Sequence, residues 1–347
     1  MIAIAYQEIE ASRRPRGLRT RQRFLLIVLL STLGLVTVLA AAFGAVPVTY
    51  EGVFEAGSID QVVFTDIRAP RVLLAAVVGM GLSISGAILQ GLFRNPLADP
   101  GLIGVSSGAA LGAISMIVLG SALNVPEILT PYLLPLASIL GAAMVTAFLF
   151  VFAQRYGRFN IVTILLVGIA VNAIAGVGIG GFQYVSDDAQ LRTLTFWMMG
   201  SFGRASWPTV VPVVTLICLG CLLLVREARA LDLIQLGDSE ARYLGIDTDR
   251  LKRRIILIAA IATGAGVAVA GMIGFVGLVV PHLVRLLGGA THHYVLPASA
   301  LLGATLIAGA DLLARTIMIP AELPVSLVTS AIGAPFFLWL ITRVRVQ

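Results

Sequence analysis

Arginines, histidines and a cysteine pair are the residues of this 347-residue chain whose types and spacing could do chemistry. Cys218 and Cys221 have the Cys-x-x-Cys spacing of a redox or zinc pair, yet they lie in an apolar run without companion ligands, so they read as small residues on one helix face. The adjacent His292 and His293 could touch an iron, and His282 follows Pro281. Their mapped position at an inner surface favours structural or interfacial roles. A Walker glycine loop, Gly-x-Ser-x-Gly and His-Glu-x-x-His are all absent from the sequence. No catalytic and no metal-binding residue is expected, and the chain does not read as an enzyme. The arginines say more. Arg68 and Arg71 flank Pro70, Arg315 lies one helical turn after Asp311, a possible partner, and Arg192 precedes the run Phe196, Trp197, Met198, Met199. Ionisable groups beside a membrane are costly to place, so their positions carry information.

The elements that hold these residues follow from composition. The chain is 58% hydrophobic and only 12% charged, with a mean hydropathy of +0.98. A soluble domain carries about 25% charged residues, so a soluble globule and a disordered chain are both excluded. The 36 glycines show no collagen period and suit helices packed closely in lipid. A spanning helix needs roughly 20 apolar residues. Ten such stretches fit: 24–46, 69–92, 101–120, 132–153, 160–182, 207–225, 253–271, 273–290, 295–314 and 324–342. The expected fold is an all-α polytopic membrane protein with ten transmembrane helices, a basic cytoplasmic segment over residues 1–23 and one domain over 24–347.

Ten spans with both termini cytoplasmic place 19 of the 24 basic residues inside and leave Arg68, Arg71, Arg192, Arg204 and Arg315 outside, as the positive-inside rule prefers. The inner set includes Arg13, Arg14, Arg158 and Arg345. The net charge of +6 therefore reflects membrane topology and lipid contact, with no nucleic-acid partner. The first apolar run exceeds the 7–15 residues of a cleaved signal core, so it reads as a span. The outer arginines, where insertion disfavours them, suggest an anionic partner. Arg192 could instead pair with Asp187 or Asp188.

Three connections are long. Residues 47–68 and 183–206 form external segments, the second suited to a short interfacial helix. Residues 227–252 fit two short amphipathic helices on the cytoplasmic side: Leu231, Ile234 and Leu236 on the first, a break at Gly237, a cap at Asp238 or Ser239, and an end at Leu244 and Gly245. This pair, about 228–250, reads as a docking element. Small residues recur at Gly104, Gly108, Gly112 and at Gly266, Ala270, Gly274, spacings that let helices approach. Pro281 should kink or end the eighth span, and Pro96 and Pro100 stiffen the inner turn after the second.

Six segments in order then resemble one family. These are Arg68-Ala-Pro-Arg71, QGLFRNPLADPGLIGVSSGAALGA (90–113), FWMMGSFG (196–203), GDSEARYLGI (237–246), GFVGLVVPHLVRLLGG (274–289) and DLLARTIMIPAELPVSLVTSAIGAPFFLWL (311–340). The chain from about 24 to 343 is similar to permease subunits of ABC importers for iron siderophores, heme and vitamin B12 (type II importers), and most like those for heme. The resemblance implies a vitamin B12 permease-like bundle in the bacterial inner membrane. It implies a homodimer, two cytoplasmic ATPase subunits that bind the ATP and Mg, and a periplasmic binding protein. It assigns Arg68, Arg71 and Arg315 to docking of that protein. It assigns the segment carrying Leu231, Ile234, Leu236, Gly237, Asp238, Glu240, Arg242, Leu244 and Gly245 to ATPase coupling. Asn95, Pro96 and Leu97 fall in a cytoplasmic gate. The chain itself then binds no cofactor. Arg192, Phe196, Trp197, Met198 and Met199 are the candidates for a substrate path, with heme as the expected cargo. Ferric siderophores or vitamin B12 are the alternatives, and a non-transporting membrane receptor or scaffold is more distant.

Overall fold

The computed structural model describes residues 16–120, 126, 129–155 and 161–344. Residues 1–15, and with them Arg13 and Arg14, lie outside the described residues, as do Arg158 and Arg345. Every regular element described is helical. The apolar helices are α1 (Arg16–Ala42), α2 (Ala69–Phe93), α3 (Val105–Leu119), α4 (Thr130–Arg155), α5 (Ile161–Val185), α6 (Trp207–Arg226), α7 (Thr248–Ala270), α8 (Val276–Gly288), α9 (His292–Thr316) and α10 (Val325–Val344). Seven are long and apolar enough to cross a membrane, while α3, α8 and α10 give shorter apolar stretches. Each of the ten expected stretches coincides with one of them. The boundary at residue 24 shifts, because α1 already begins at Arg16.

Helix α2 is the centre of the bundle. It packs against α6, α7, α8 and α9, and nearly every residue from Pro70 to Phe93 is buried. With protein on all sides, it needs small residues more than large ones. A Cβ on Gly79 would stand 2.2 Å from the Gly303 carbonyl oxygen of α9, and one on Gly86 would stand 2.0 Å from that of Gly277 in α8. Gly108 and Gly112 of α3 likewise meet the backbone of Gly141 and Ala137 in α4. The second expected row does not act this way. Gly266 makes only ordinary contact with Val78, and Gly274 faces open space.

Two local features go beyond the sequence reading. Pro281 does not break α8, which runs through it. A proline in a helix leaves the carbonyl four residues earlier without its donor; here that carbonyl, Gly277, accepts from the Gln90 side chain at 3.1 Å. The break lies earlier, between α7 and α8, where Gly271 (φ 72°) and Phe275 (φ 68°) adopt left-handed conformations. The external segment 47–68 is also more ordered than a loop. It holds short helices at Tyr50–Phe54 and Ile59–Val62, then a π-helical turn, Val63–Arg68, that runs directly into α2.

Candidate functional site: two ends of one bundle

The ends of the bundle are called outer and inner in the sense of the basic-residue distribution. At the outer end the structure brings Arg68, Arg71 and Arg315 together and buries all three. None of the three guanidinium groups stands free at the surface. Arg71, in the first turn of α2, reaches α9 and the turn beyond it. Its Nε donates to both Asp311 oxygens at 3.1 and 3.0 Å, and its Nη2 to Oδ1 at 2.8 Å. Its Nη1 and Nη2 donate to Glu322 at 2.8 and 3.0 Å. Asp311 also lies 3.6 Å from Arg315 Nε, as the one-turn spacing suggested. Arg315 donates further to the Ala40 carbonyl. Arg68 turns to the end of α1 and donates to the carbonyls of Ala41, Ala42 and Val46. Burying these charges is tolerable only because each guanidinium finds acceptors.

Beside this cluster opens a cavity of about 520 Å³. Its wall includes Phe196, Trp197, Leu74 and Leu134, with Arg204 and Glu322 as the charged members. Phe196 and Trp197 come from the helix Asp188–Met198, which starts with a capping box between Asp187 and Gln190. Asp187 is thus taken up as a cap, and Arg192 instead lies over the Phe196 ring, 5.8 Å from its centroid. Of the four residues from Phe196 to Met199, the two methionines do not line the cavity. The Gln183 amide contacts the Met198 sulfur at 3.9 Å, and the Met199 carbonyl accepts from Ser326.

At the inner end the expected helix pair is present as Ala228–Ile234 and Asp238–Tyr243. Its faces are assigned differently from the expectation. Leu231 and Ile234 are fully buried, because the first helix packs onto α2 and α9. They anchor the pair and cannot meet a partner. The exposed apolar residues are Leu236 (65%), Tyr243 (92%) and Leu244 (52%). Gly237, with φ 136°, caps the second helix in place of Asp238 or Ser239; a Cβ there would overlap the Glu240 carboxylate. Asp238 is free to bridge Arg94 at 2.7 Å and Lys252. Arg242 holds Thr248 and Asp249 at 2.8 and 2.9 Å, and Gly245 turns the chain at φ 87°.

The turn after α2 belongs to the same face. The Asn95 side chain accepts from the Leu97 amide at 2.9 Å, and Pro96 and Leu97 are exposed. Asp99 caps the 3-10 turn Pro100–Ile103. Partial enclosure raises its carboxyl, against a lowering hydrogen bond from Gly101. His292 is not at the surface. It is buried and holds Asp232 of the first inner helix through its ring at 2.7 Å and its amide at 3.0 Å. Burial raises the Asp232 carboxyl, but the His292 hydrogen bonds and the nearby histidine charge outweigh it and hold the group below its ordinary value. Cys218 is exposed and Cys221 buried, and among the described residues no cluster could hold a metal ion.

Several partners escaped the sequence reading. Glu322 and the Asp232–His292 clasp join residues far apart in the chain, Arg204 lines the cavity, and Tyr243 is an exposed aromatic of the inner pair. The one available signal for Glu322 was an acid in a proline-flanked outer turn between two spans.

A helical bundle with paired surface helices at one end has the fold of an ABC-transporter permease. It superposes on a solved structure described as an inward-facing conformation of a metal-chelate type ABC transporter, with a TM-score of 0.83, 32% identity, and 92% of this chain and 99% of the other covered. The chain belongs to the FecCD transport family, whose model matches residues 29–343. It is 46% identical over 331 residues to the hemin transport system permease protein HmuU of Yersinia pestis, covering 95% of this chain and 98% of the relative. It is 41% identical over 292 residues to the vitamin B12 import system permease protein BtuC of Vibrio cholerae, covering 82% and 84%.

Proposed function

We propose that this chain is the permease subunit of a heme importer in the bacterial inner membrane. It works as a homodimer of ten-span subunits with both termini cytoplasmic, surrounded by lipid. Two ATPase subunits dock on the inner helix pair through Leu236, Tyr243 and Leu244, and ATP hydrolysis there changes which side of the path is open. A periplasmic binding protein docks at the outer arginine cluster, and Asn95, Pro96 and Leu97 border the inner exit. The carrying observation is the similarity, along almost the whole chain, to a protein named as a hemin permease.

The outer cavity agrees with this cargo. A flat, largely apolar macrocycle with two carboxylates suits a wall of Phe196 and Trp197 with Arg204 at the cavity and Arg192 over the Phe196 ring. The test is reconstitution in proteoliposomes with the ATPase and binding protein encoded beside this chain. ATP-dependent accumulation of heme, and not of vitamin B12 or a ferric siderophore, is expected. Accumulation of either alternative in place of heme overturns the cargo, and transport of none overturns the permease reading.

A further inference from the structure

The Arg71 guanidinium is shared between two carboxylates of different standing. Asp311 takes the side-on edge, Nε and Nη2, and its side chain is 1% exposed. It sits within α9 and also serves Arg315. Glu322 takes the end-on edge, Nη1 and Nη2, and its side chain is 41% exposed. It sits in the turn between α9 and α10, outside either helix. The three buried arginines have two carboxylates in direct contact, Asp311 and Glu322, while Arg68 bonds backbone carbonyls and feels the charge of Asp60 at longer range. Of the two contacting carboxylates, Glu322 is the one that solvent can reach.

From this geometry we propose that Glu322 is an exchangeable occupant: it fills in cis a carboxylate seat on Arg71 that an acidic side chain of the docking binding protein takes in trans. The proposal rests on the docking reading above. Replacing one carboxylate by another conserves both end-on hydrogen bonds and the charge of the site, so no buried guanidinium is left unpaired at the end of the exchange. The displaced Glu322 is already half in water and loses little by leaving. Asp311 cannot exchange in this way, because removing it strips Arg71 and Arg315 together.

The seat adjoins the outer cavity. Glu322, Leu323 and Pro324 all line it. The same turn is pinned on either side of the cavity, by Leu323 N to the Ala314 carbonyl at 2.9 Å and by Val325 N to the Gly200 carbonyl at 3.0 Å. Occupation of the seat by a partner thus frees one of the two charged members of the cavity wall at the moment of delivery.

The test is the affinity of the full-length chain in nanodiscs for the binding protein encoded beside it, at low and high salt, for wild type, Glu322→Gln and Glu322→Ala. Removal of the internal competitor should tighten binding about fivefold in both variants, with a steeper loss on adding salt than in wild type. Both variants change an exposed turn residue, and an unchanged melting temperature checks their fold. Equal or weaker binding by both variants, while the wild type binds with a clear salt dependence, overturns the exchange and leaves arginine docking standing. Binding that ignores both salt and the substitutions overturns docking at the arginines and the exchange with it.

Discussion

The two ends of the bundle handle charge in opposite ways. At the outer end Arg68, Arg71 and Arg315 are drawn inside, and each is bonded to acceptors of the same chain. At the inner end Arg94, Asp238 and Arg242 pair at the surface, the helix pair is seated by the fully buried Leu231 and Ile234, and the buried Lys252 and His292 are each held by a more exposed aspartate. The outer end is locked by ions and the inner end by packing. Buried ion pairs resist disturbance because removing one partner strands the other in a poor solvent, whereas exposed pairs are screened and contribute little. An end locked by ions can be reset by an incoming charge. An end locked by packing moves as one piece with the helices it rests on. For the inner pair those helices are α2 and α9, and the His292–Asp232 clasp ties the same pair to the start of α9. Helix α9 then runs 25 residues to Asp311 and Arg315, roughly 37 Å at the usual helical rise, so a single rod spans both ends.

The sharpest way to break this contrast is Asp311→Ala. It leaves Arg71 with one carboxylate and Arg315 with none, and should cost about 3–5 kcal/mol, read as a large drop in melting temperature in detergent. The matched inner change, Asp249→Ala, removes a pair to Arg242 and should cost about 1 kcal/mol or less, because both side chains are about half exposed. Similar losses at the two sites would remove the distinction between ion-locked and packing-locked ends.

Next comes the inner pair itself. Leu231→Ala or Ile234→Ala opens a cavity in a fully buried contact and should cost about 2–4 kcal/mol. Leu236→Ala and Tyr243→Ala, on the exposed face, should leave melting unchanged and weaken co-purification of the ATPase. Loss of the ATPase with Leu231→Ala but not with Tyr243→Ala would reverse the assignment of the two faces.

How far these ends were legible in the sequence differs for a physical reason. The ten apolar stretches stand out because lipid demands long runs, and the inner pair stands out because Gly237 and Gly245 punctuate an amphipathic segment. The facing of a seven-residue helix does not stand out. Periodicity groups Leu231 with Ile234, yet it is silent on whether that stripe meets protein or cytosol. The burial of the outer arginines was hidden for a related reason, since their acceptors come from elsewhere: Ala40 to Val46 from the end of α1 and just beyond it, and Glu322 from 251 positions beyond Arg71. Only Asp311 with Arg315 lay at a readable spacing. The centre of the bundle was visible only indirectly. The small residues around Gly79 and Gly86 are the signature of a helix with other helices packed closely around it.

The clasp between α9 and the inner pair gives a smaller effect with a pH signature. Asp232 is held below its ordinary value, so its contribution is present above the unfolded carboxylate value, near 3.9, and is lost as pH falls through the lower native one. Asp232→Asn should cost about 1–3 kcal/mol at neutral pH, because the His292 ring then loses a charged acceptor, and the gap to wild type should narrow only in strong acid. A gap that is constant with pH would show that the carboxylate charge is not what holds the clasp.

The smallest effect expected lies at Asp99, and its sign is opposite. There enclosure raises the carboxyl, so the native state favours the protonated form. Stability from this group is fullest below the ordinary carboxylate value and declines as pH rises through the elevated native one. Asp99→Asn keeps an oxygen for the Gly101 amide, 2.8 Å from Oδ1 in the wild type, and removes the charge. It should match wild type near pH 4 and melt slightly higher at pH 8. A variant that instead melts lower at pH 8 would mean that the ionised carboxylate is stabilised in the turn, and the inner end would then hold an enclosed carboxylate charge of the kind that Asp311 provides at the outer one.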